Sequence, residues 1–490
     1  MNQSSSSIDL HSIARQVIRE RGFNPQFSPE AQQQLARITS HPVAASPSGD
    51  IRDLRHLLWS SIDNDDSRDL DQIEYAESIS SSETKILVGI ADVDACVSKV
   101  TPLDAHAARE TTTLYTGIEV FPMLPVELST GLTSLNENAD RLSIVVEFIV
   151  DAAGEIQSGN VYRAVVRNRA QLAYSAVGAW LQGSSTAAPN KIAASTELQS
   201  QLRLQDEAAQ RLREQRYKHG ALNLESAEIH PVMSQGQVVG ILDAEKNRAS
   251  NLIEELMIAA NETVARLLEA KKVSSIRRVV KTPERWDRIV ALAAEHGGNL
   301  PATPDSKALN DFLIQRRAAD PDHFADVSLV VVKLMGPGEY VLERPGDPST
   351  GHFGLAIQDY THSTAPNRRF PDVITQRLVK AAFAHQPTPY TDAELNSLAE
   401  RCTERQDAAR KVERDMRKRI AAVALHSQIG TVFDAIVTGN NEHGTFVRVL
   451  KPHVEGMLIR GQDGLDVGDR LRAKLVNTDA HRGYIDFARA

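Results

Sequence analysis

A dense group of carboxylates lies in the first fifth of the chain. The stretch SIDNDDSRDLDQIE, residues 61–74, carries five aspartates within nine positions: Asp63, Asp65, Asp66, Asp69 and Asp71. Carboxylates packed this closely repel one another and resist ionisation unless positive charge lies among them. The pattern therefore predicts a bound metal ion.

The acidic spacing is compatible with two kinds of cation site. Six residues fall at the ligand positions of an EF-hand calcium loop: Asp63, Asp65, Ser67, Asp69, Asp71 and Glu74. Arg68, however, occupies the position where that loop requires glycine, and the flanking residues resemble strand ends. In an extended chain Asp69 and Asp71 point to the same side, and Asp63 returns from the other end of the loop. Three such carboxylates favour one or two hard cations, with Mg²⁺ as the prediction and Mn²⁺ as the alternative ion.

Two short helices are predicted before the acidic stretch. Apolar residues at helical spacing from Leu10 to Ile18 are followed by Gly22, which supplies a C-terminal stop. Ser28 is the predicted N-cap of a second helix, and Pro29 is its first residue. Together they predict a small N-terminal helix-turn-helix domain over residues 1–45.

The central part of the chain mixes strand and helix patterns. Residues 50–172 contain short β-type apolar runs, whereas residues 198–268 have long helical patterns. Within the latter, NLIEELMIAANETVARLLEAKK places its apolar side chains on one stripe, which predicts a core helix. The stretch QGSSTAAPN, residues 182–190, predicts a surface loop. These patterns predict a mixed α/β domain over residues 50–424.

The last part of the chain, residues 425–490, is rich in short β-type runs. Five such runs are separated by glycines near strand starts and bends, as in GTVFDAIVTG and GTFVRVL. This arrangement is typical of a C-terminal OB-fold β-barrel of the ribosomal, RNA-binding type. The alternative is a barrel that serves only for packing.

Composition limits the class of protein. The chain has 490 residues, 41% apolar and 24% charged, which is an ordinary composition for several folded domains. MNQSSSSIDLHS lacks the features of a signal peptide, and the apolar run LSIVVEFIVDAAG is interrupted by a glutamate, so we expect a cytoplasmic protein without membrane contact. The net charge of −9 argues against a protein that coats nucleic acid, but basic clusters such as PNRRF leave room for a local phosphate-binding path.

Five motifs in order resemble the RNB family, the exoribonucleases typified by ribonuclease II and ribonuclease R. SSIDNDDSRDLDQ resembles its metal-binding signature, and VGIADVDACV resembles the strand that follows. DAHAARETTTLYTGIEVFPMLPVELST, LIEELMIAANETVA and HFGLAIQDYTHSTAPNRRFPDVITQR resemble its tyrosine segment, core helix and arginine segment. The resemblance covers roughly residues 51–420 and implies that the central domain is an RNB catalytic domain.

The resemblance also implies roles for particular residues. Asp71 matches the essential catalytic carboxylate, with Asp69 beside it, and Arg368 matches the arginine that clamps the scissile phosphate. Tyr115 would stack on a base near the 3′ end, although a tyrosine in the core is the alternative. Arg369 is a weaker substrate-binding candidate than Arg368. Glu413 is a further substrate-binding candidate, but it could instead pair with a neighbouring arginine on its helix. The implied metal ligands are Asp63, Asp69, Asp71 and Gln72.

The chain departs from the family pattern at several positions. Gln72 replaces a fourth aspartate, so the site has less negative charge to hold a metal. Ala365, Asn367 and Phe370 replace the usual serine, isoleucine and tyrosine, and the helix-turn-helix takes the place of cold-shock domains. The resemblance still implies hydrolysis of single-stranded RNA from its 3′ end to nucleoside 5′-monophosphates. The rival interpretation is a catalytically weakened RNA-binding regulator.

Overall fold

A computed structural model shows a mixed α/β protein with a separate barrel near its C-terminus, as predicted. The described residues are 8–183, 189–225, 228–234, 237–244, 246–321, 324–442 and 444–490. Most of the predicted surface loop at residues 182–190 therefore lies outside the described residues. None of the described helices is both long and apolar enough to span a membrane.

The strands before the barrel form one large sheet and three small ribbons. In chain order they are β1 (Arg52–Asp53), β2 (Trp59–Asp63), β3 (Gln72–Ser78), β4 (Thr84–Ala91), β5 (Leu114–Tyr115), β6 (Val120–Phe121), β7 (Asp140–Val150), β8 (Ile156–Ala173), β9 (Glu228–Ser234), β10 (Gln237–Ala244), β11 (Ser275–Val279) and β12 (Glu339–Glu343). The ribbons pair β5 with β6, β9 with β10 and β11 with β12.

Most of the helices described before the barrel follow the last strand of the large sheet. In chain order they are α1 (Leu10–Glu20), α2 (Pro29–Ser40), α3 (Pro102–Glu110), α4 (Tyr174–Leu181), α5 (Asn190–Ala193), α6 (Thr196–Lys218), α7 (Arg248–Ala270), α8 (Trp286–Glu295), α9 (Ser306–Ala319), α10 (Phe324–Met335), α11 (Phe370–Phe383) and α12 (Asp392–Leu425). A one-turn π-helix spans Glu127–Leu132.

The large sheet closes on itself through its longest strand. Its order is β1-β8-β2-β3-β4-β7, and β8 pairs with β7 as well. The first part of β8 runs antiparallel to β7, while its last residues, 168–173, run parallel to β2. Because β8 pairs with both β7 and β2, the last residue of β2 and the first residue of β3 are held at one end of the sheet.

Helix α7 confirms the predicted core helix. Asn247 and Ser250 form a reciprocal capping box at its N-terminus. Its apolar residues are buried on more than the one predicted stripe, because β7, β8, α4, α6 and α11 all pack around it. A helix enclosed on several sides needs apolar residues on several faces.

The two N-terminal helices are also confirmed. The Ser28 hydroxyl accepts a hydrogen bond from the Ala31 amide at 3.2 Å, and Pro29 opens α2. Helix α1 packs against α12, and α2 packs against α3. Their buried side chains thus join cores formed with the rest of the chain, and the division at residue 45 stays a prediction.

The C-terminal strands form the predicted closed barrel. Its strands are β13 (Val432–Asn441), β14 (Gly444–Val449), β15 (Glu455–Arg460), β16 (Arg470–Asp479) and β17 (Tyr484–Arg489). The order β13-β14-β15-β17-β16, with β16 returning to β13, is that of an OB fold. Ala421, Ala422 and Leu425 at the end of α12 extend into the barrel core, and Arg448 forms a buried ion pair with Asp326 of α10.

Candidate active site

The acidic loop joins the end of β2 to the start of β3. Asp63 is the last residue of β2, and Gln72 is the first residue of β3. The Ser134 hydroxyl donates to the Arg68 carbonyl at 2.8 Å and accepts from the Leu70 amide at 2.9 Å. These contacts fix the backbone around Asp69 and Asp71 at one end of the sheet.

Asp71 is the most deeply buried of the predicted carboxylates, with 1% of its surface exposed. One oxygen accepts the Asn367 amide at 2.8 Å, and the other accepts Nε of Arg368 at 3.2 Å. Burial raises the pKa of the Asp71 carboxyl to about 7, although Arg368 and the Asn367 amide act in the opposite direction. The structure therefore brings together the carboxylate and the arginine that the sequence motifs predicted.

Asp63 and Asp69 complete the carboxylate group. Asp63 accepts the Asn64 amide at 2.8 Å, and burial raises the pKa of its carboxyl while nearby Arg368 opposes that rise. Asp69 accepts a hydrogen bond from the Tyr115 hydroxyl at 3.1 Å. Tyr115 is 40% exposed, so the alternative of a core tyrosine is wrong.

The two adjacent arginines face different surroundings. The Arg368 side chain is 45% exposed and lies against Asp71. Nη2 of Arg369 instead donates to the fully buried Asp372 at 2.7 Å, and Asp372 also accepts the Ala365 amide at 2.8 Å. Arg368 is thus available to a ligand, whereas Arg369 fastens its own loop.

The arginine segment is also bonded to the segment that leads into β5. The Thr113 amide donates to the Arg368 carbonyl at 3.0 Å, and the Phe370 amide donates to the Thr111 carbonyl at 2.9 Å. This pairing holds β5, which carries Tyr115, beside the segment that carries Arg368.

The two remaining predicted residues lie on different elements, β3 and α12. Gln72 is buried beside Asp71 at the start of β3. Glu413 is half-buried on α12, one residue after Val412, which packs beneath β5 and β6. Arg410, a neighbouring arginine on the same helix, contacts Asp407 at 3.7 Å. The roles assigned to Gln72 and Glu413 stay predictions.

The departures at residues 365–370 are accommodated by packing. Asn367 is fully buried, and its side-chain oxygen accepts the Thr133 hydroxyl at 2.6 Å. Phe370 is buried in the main core, where an aromatic ring without a hydroxyl is well suited. These substitutions leave the Asp71–Arg368 contact in place.

The structure excludes the calcium-loop alternative. The flanking elements are strands β2 and β3, and Glu74, the twelfth position, is fully buried in β3 opposite Ser60. Asp65 accepts the Ser175 hydroxyl at 2.9 Å on the protein surface. An EF-hand would need two flanking helices and a final glutamate that reaches the ion.

Two neighbours of the site were not anticipated. The Asn367 backbone amide holds Asp71, and a backbone donor leaves no signal in the residue type. Tyr174 follows Ala173, which pairs with Asp63 across β8 and β2. Burial raises the pKa of the Tyr174 hydroxyl, and the charges of Asp63 and Glu74 act in the same direction. Only the register of β2 on β8 would have revealed Tyr174.

The predicted ligands are not arranged as a complete metal-coordination site in the described part of the chain. Within the described part of the chain, no group of three or more His, Cys, Asp or Glu side chains is arranged to hold a metal ion. Arg368 instead provides the positive charge beside Asp71. The donor types, carboxylate and amide oxygens, are nevertheless those that a hard divalent cation binds.

Comparison with protein families gives two matches. Residues 51–385 match the RNB domain, and residues 431–490 match the RNase II-type exonuclease C-terminal S1 domain. Ribonuclease R of Thermotoga maritima is 30% identical, over 98% of this chain and 70% of its own length. Ribonuclease R of Escherichia coli is 30% identical, over 89% of this chain and 54% of its own length.

Solved structures share the fold. The apo form of Mycoplasma genitalium RNase R aligns with a TM-score of 0.85 at 23% identity, covering 98% of this chain and 78% of that one. Yeast Ssd1, a pseudonuclease, aligns with a TM-score of 0.71 at 17% identity, covering 97% of this chain and 58% of that one. The family matches and the assembled Asp71–Arg368 pair together confirm the resemblance: the chain belongs to the RNB family of exoribonucleases.

Proposed function

We propose that this exoribonuclease hydrolyses single-stranded RNA from its 3′ end and releases nucleoside 5′-monophosphates. The observation that carries the proposal is the contact of buried Asp71 with exposed Arg368, next to exposed Tyr115, which donates to Asp69. A carboxylate, a cation and an aromatic face at one place are the groups needed to cleave a phosphodiester and hold its base.

Arg368 binds the scissile phosphate. Its side chain is exposed enough to meet a ligand and is oriented by Asp71 at 3.2 Å. A guanidinium forms paired, charge-assisted hydrogen bonds with phosphate oxygens. These bonds strengthen as negative charge develops on the phosphate in the transition state.

Tyr115 holds the base near the 3′ end. Its hydroxyl donates to Asp69, and 40% of the residue is exposed to a ligand. Stacking on an aromatic face accepts any base, because every base has a π-face. Arg369 supports this site indirectly, because its bond to Asp372 holds the loop that carries Arg368, and Glu413 is a further candidate for contact with the last nucleotides.

Mg²⁺, with Mn²⁺ as the alternative ion, fits the donors Asp63, Asp69, Asp71 and Gln72. The pKa values of the Asp63 and Asp71 carboxyls are raised by burial, so their negative charge is not fully compensated by the protein. A divalent cation supplies that compensation, polarises the phosphate and makes water more acidic. RNB-family nucleases generally need a divalent metal.

The C-terminal barrel supplies affinity for RNA outside the site. Its strand β16 presents Arg470, Arg472 and Lys474 at alternate, exposed positions. Solved complexes of Mycoplasma genitalium RNase R with double-stranded RNA and with ribose-methylated single-stranded RNA support RNA as the partner. Phosphate contacts of this kind bind without reading sequence.

The test is a cleavage assay with a matched control. Purified protein is incubated with 5′-labelled single-stranded RNA and Mg²⁺, with and without a chelator, and a circular RNA of the same composition is the control. We expect a ladder that shortens from the 3′ end, nucleoside 5′-monophosphate as product, loss of activity with chelator and an intact circle. Cleavage of the circle would contradict the exonucleolytic direction.

The rival function is RNA binding without cleavage. Gln72 favours it, because an amide brings no charge to a metal. Similarity to the pseudonuclease Ssd1 shows that the fold alone does not decide activity. Retention of Asp63, Asp69, Asp71 and Arg368 favours the enzyme. RNA binding without any cleavage in Mg²⁺ or Mn²⁺ would establish the rival.

A further inference from the structure

The Tyr115 hairpin, residues 114–121, has one face towards the site and one face towards helix α1. Leu114 pairs with Phe121, and Tyr115 pairs with Val120. Because side chains alternate along a strand, the first pair points inward and the second outward. Tyr115 and Val120 are accordingly exposed, and Leu114 and Phe121 are buried.

The inward face of the hairpin packs on two helices. Leu114 and Phe121 share one apolar cluster with Ala14, Val17 and Ile18 of α1 and with Val412 and Met416 of α12. At the turn, Gly117 adopts a positive φ, and a Cβ there would lie 2.9 Å from Cδ1 of Ile420. The hairpin therefore rests on a surface to which α1 contributes directly.

A charged contact ties the turn of the hairpin to the same helix. Arg15 donates from Nη2 to Oε1 of Glu119 at 3.1 Å and from Nε to Oε2 at 3.3 Å. His11 lies 3.4 Å from the same carboxylate. The Thr116 hydroxyl in turn donates to the Glu119 carbonyl at 2.6 Å and accepts the Glu119 amide at 3.0 Å. Thr116 directly follows Tyr115.

We propose that helix α1 positions Tyr115 for substrate, with Arg15 acting through Glu119 and Thr116. The proposal rests on the function proposed above and gives the N-terminal helix a defined part in it. Arg15 is a positioning residue, because it contacts the hairpin turn rather than the carboxylate site. Loosening this contact lets the hairpin shift, and the stacking face on its outer side shifts with it.

The first test compares charge variants on one helix. Arg15→Glu places two carboxylates together at the turn, whereas Arg19→Glu makes the same charge change one turn along α1 and is the control. We expect Arg15→Glu to raise KM for RNA about two- to fivefold, as for loss of an exposed ion pair, with kcat unchanged. Its limit product should lengthen towards that of Tyr115→Ala. The double variant Arg15→Glu, Glu119→Arg should restore the wild-type ladder.

The second test separates failure of this proposal from failure of the proposed function. Hydrogen exchange of the Thr116 and Glu119 amides should be faster in Arg15→Glu than in wild type and Arg19→Glu, whether or not RNA is cleaved. Unchanged exchange, an unchanged product ladder, or equal effects of Arg15→Glu and Arg19→Glu would overturn the positioning role. Absence of cleavage by wild type would instead overturn the proposed function.

Discussion

The candidate active site gathers residues from distant parts of the chain, whereas the strands of the C-terminal barrel follow one another between Val432 and Arg489. Asp71 and Arg368 are 297 residues apart in the chain and form a partly buried ion pair. The barrel instead carries exposed cations on regular strands around a small apolar core. Chemistry in this protein therefore depends on long-range assembly, while RNA affinity can come from a local unit. The two should respond separately to mutation.

Asp71→Asn should reduce activity more than any other single substitution. It keeps the side-chain shape and removes the charge that the site needs most. We expect turnover to fall by about 10²- to 10⁴-fold, while RNA affinity is retained because the arginines, Tyr115 and the barrel remain. Single-turnover cleavage and gel-shift affinity, measured on the same RNA, give the two numbers. A fall in RNA affinity equal to the fall in cleavage rate would contradict the prediction that Asp71 contributes to cleavage and not to RNA binding.

Tyr115→Ala should have an intermediate effect, and it should lower the affinity of the site for RNA. Stacking contributes about 1–3 kcal/mol per base, so the affinity for short oligonucleotides should drop about 5- to 150-fold. The final products should become longer, because the last nucleotides are no longer held. Tyr115→Phe is the matched control, since it keeps the ring and removes only the bond to Asp69. A product ladder identical to wild type in Tyr115→Ala would remove Tyr115 from the substrate path.

Replacing Arg472 and Lys474 with alanine tests whether the barrel binds RNA. Both substitutions leave intact the apolar core that the barrel shares with Ala421, Ala422 and Leu425 of α12. Removing two phosphate interactions should reduce the slope of log K against log salt by about 1.4, at about 0.7 for each contact. Long RNA should therefore bind several-fold more weakly, while cleavage of short oligonucleotides is preserved. Lys307→Ala, on α9, is the control. Equally weakened cleavage of short and long RNA would show that the barrel acts on the site itself.

Gln72→Asp should change activity least. A fourth carboxylate should lower the Mg²⁺ concentration needed for half-maximal activity by a few-fold. Titration of Mg²⁺ against rate, together with metal binding measured by calorimetry without RNA, provides two independent readings. An unchanged or raised midpoint would show that Gln72 does not weaken the metal site.

Sequence patterns predicted the regular elements well. The two N-terminal helices, α7 and the five barrel strands each carry caps, periodicity or turn residues within a few positions of one another. Family motifs also singled out Asp71, Arg368 and Tyr115, which the structure brings together around the carboxylates, while their roles stay predictions. Local patterns could not show that Arg368 and Arg369 have different partners, because the carboxylates of Asp71 and Asp372 reach them only in the folded chain. They likewise missed Tyr174 and the Asn367 amide, which come near the carboxylates only through strand register and a long-range loop.

The 297-residue separation of Asp71 from Arg368 has a consequence for synthesis of the protein. A ribosome exposes the acidic loop long before the arginine segment, and domains fold as their chain emerges. A nascent or truncated chain that ends before Arg368 therefore carries Asp71 without the guanidinium that contacts it in the complete protein.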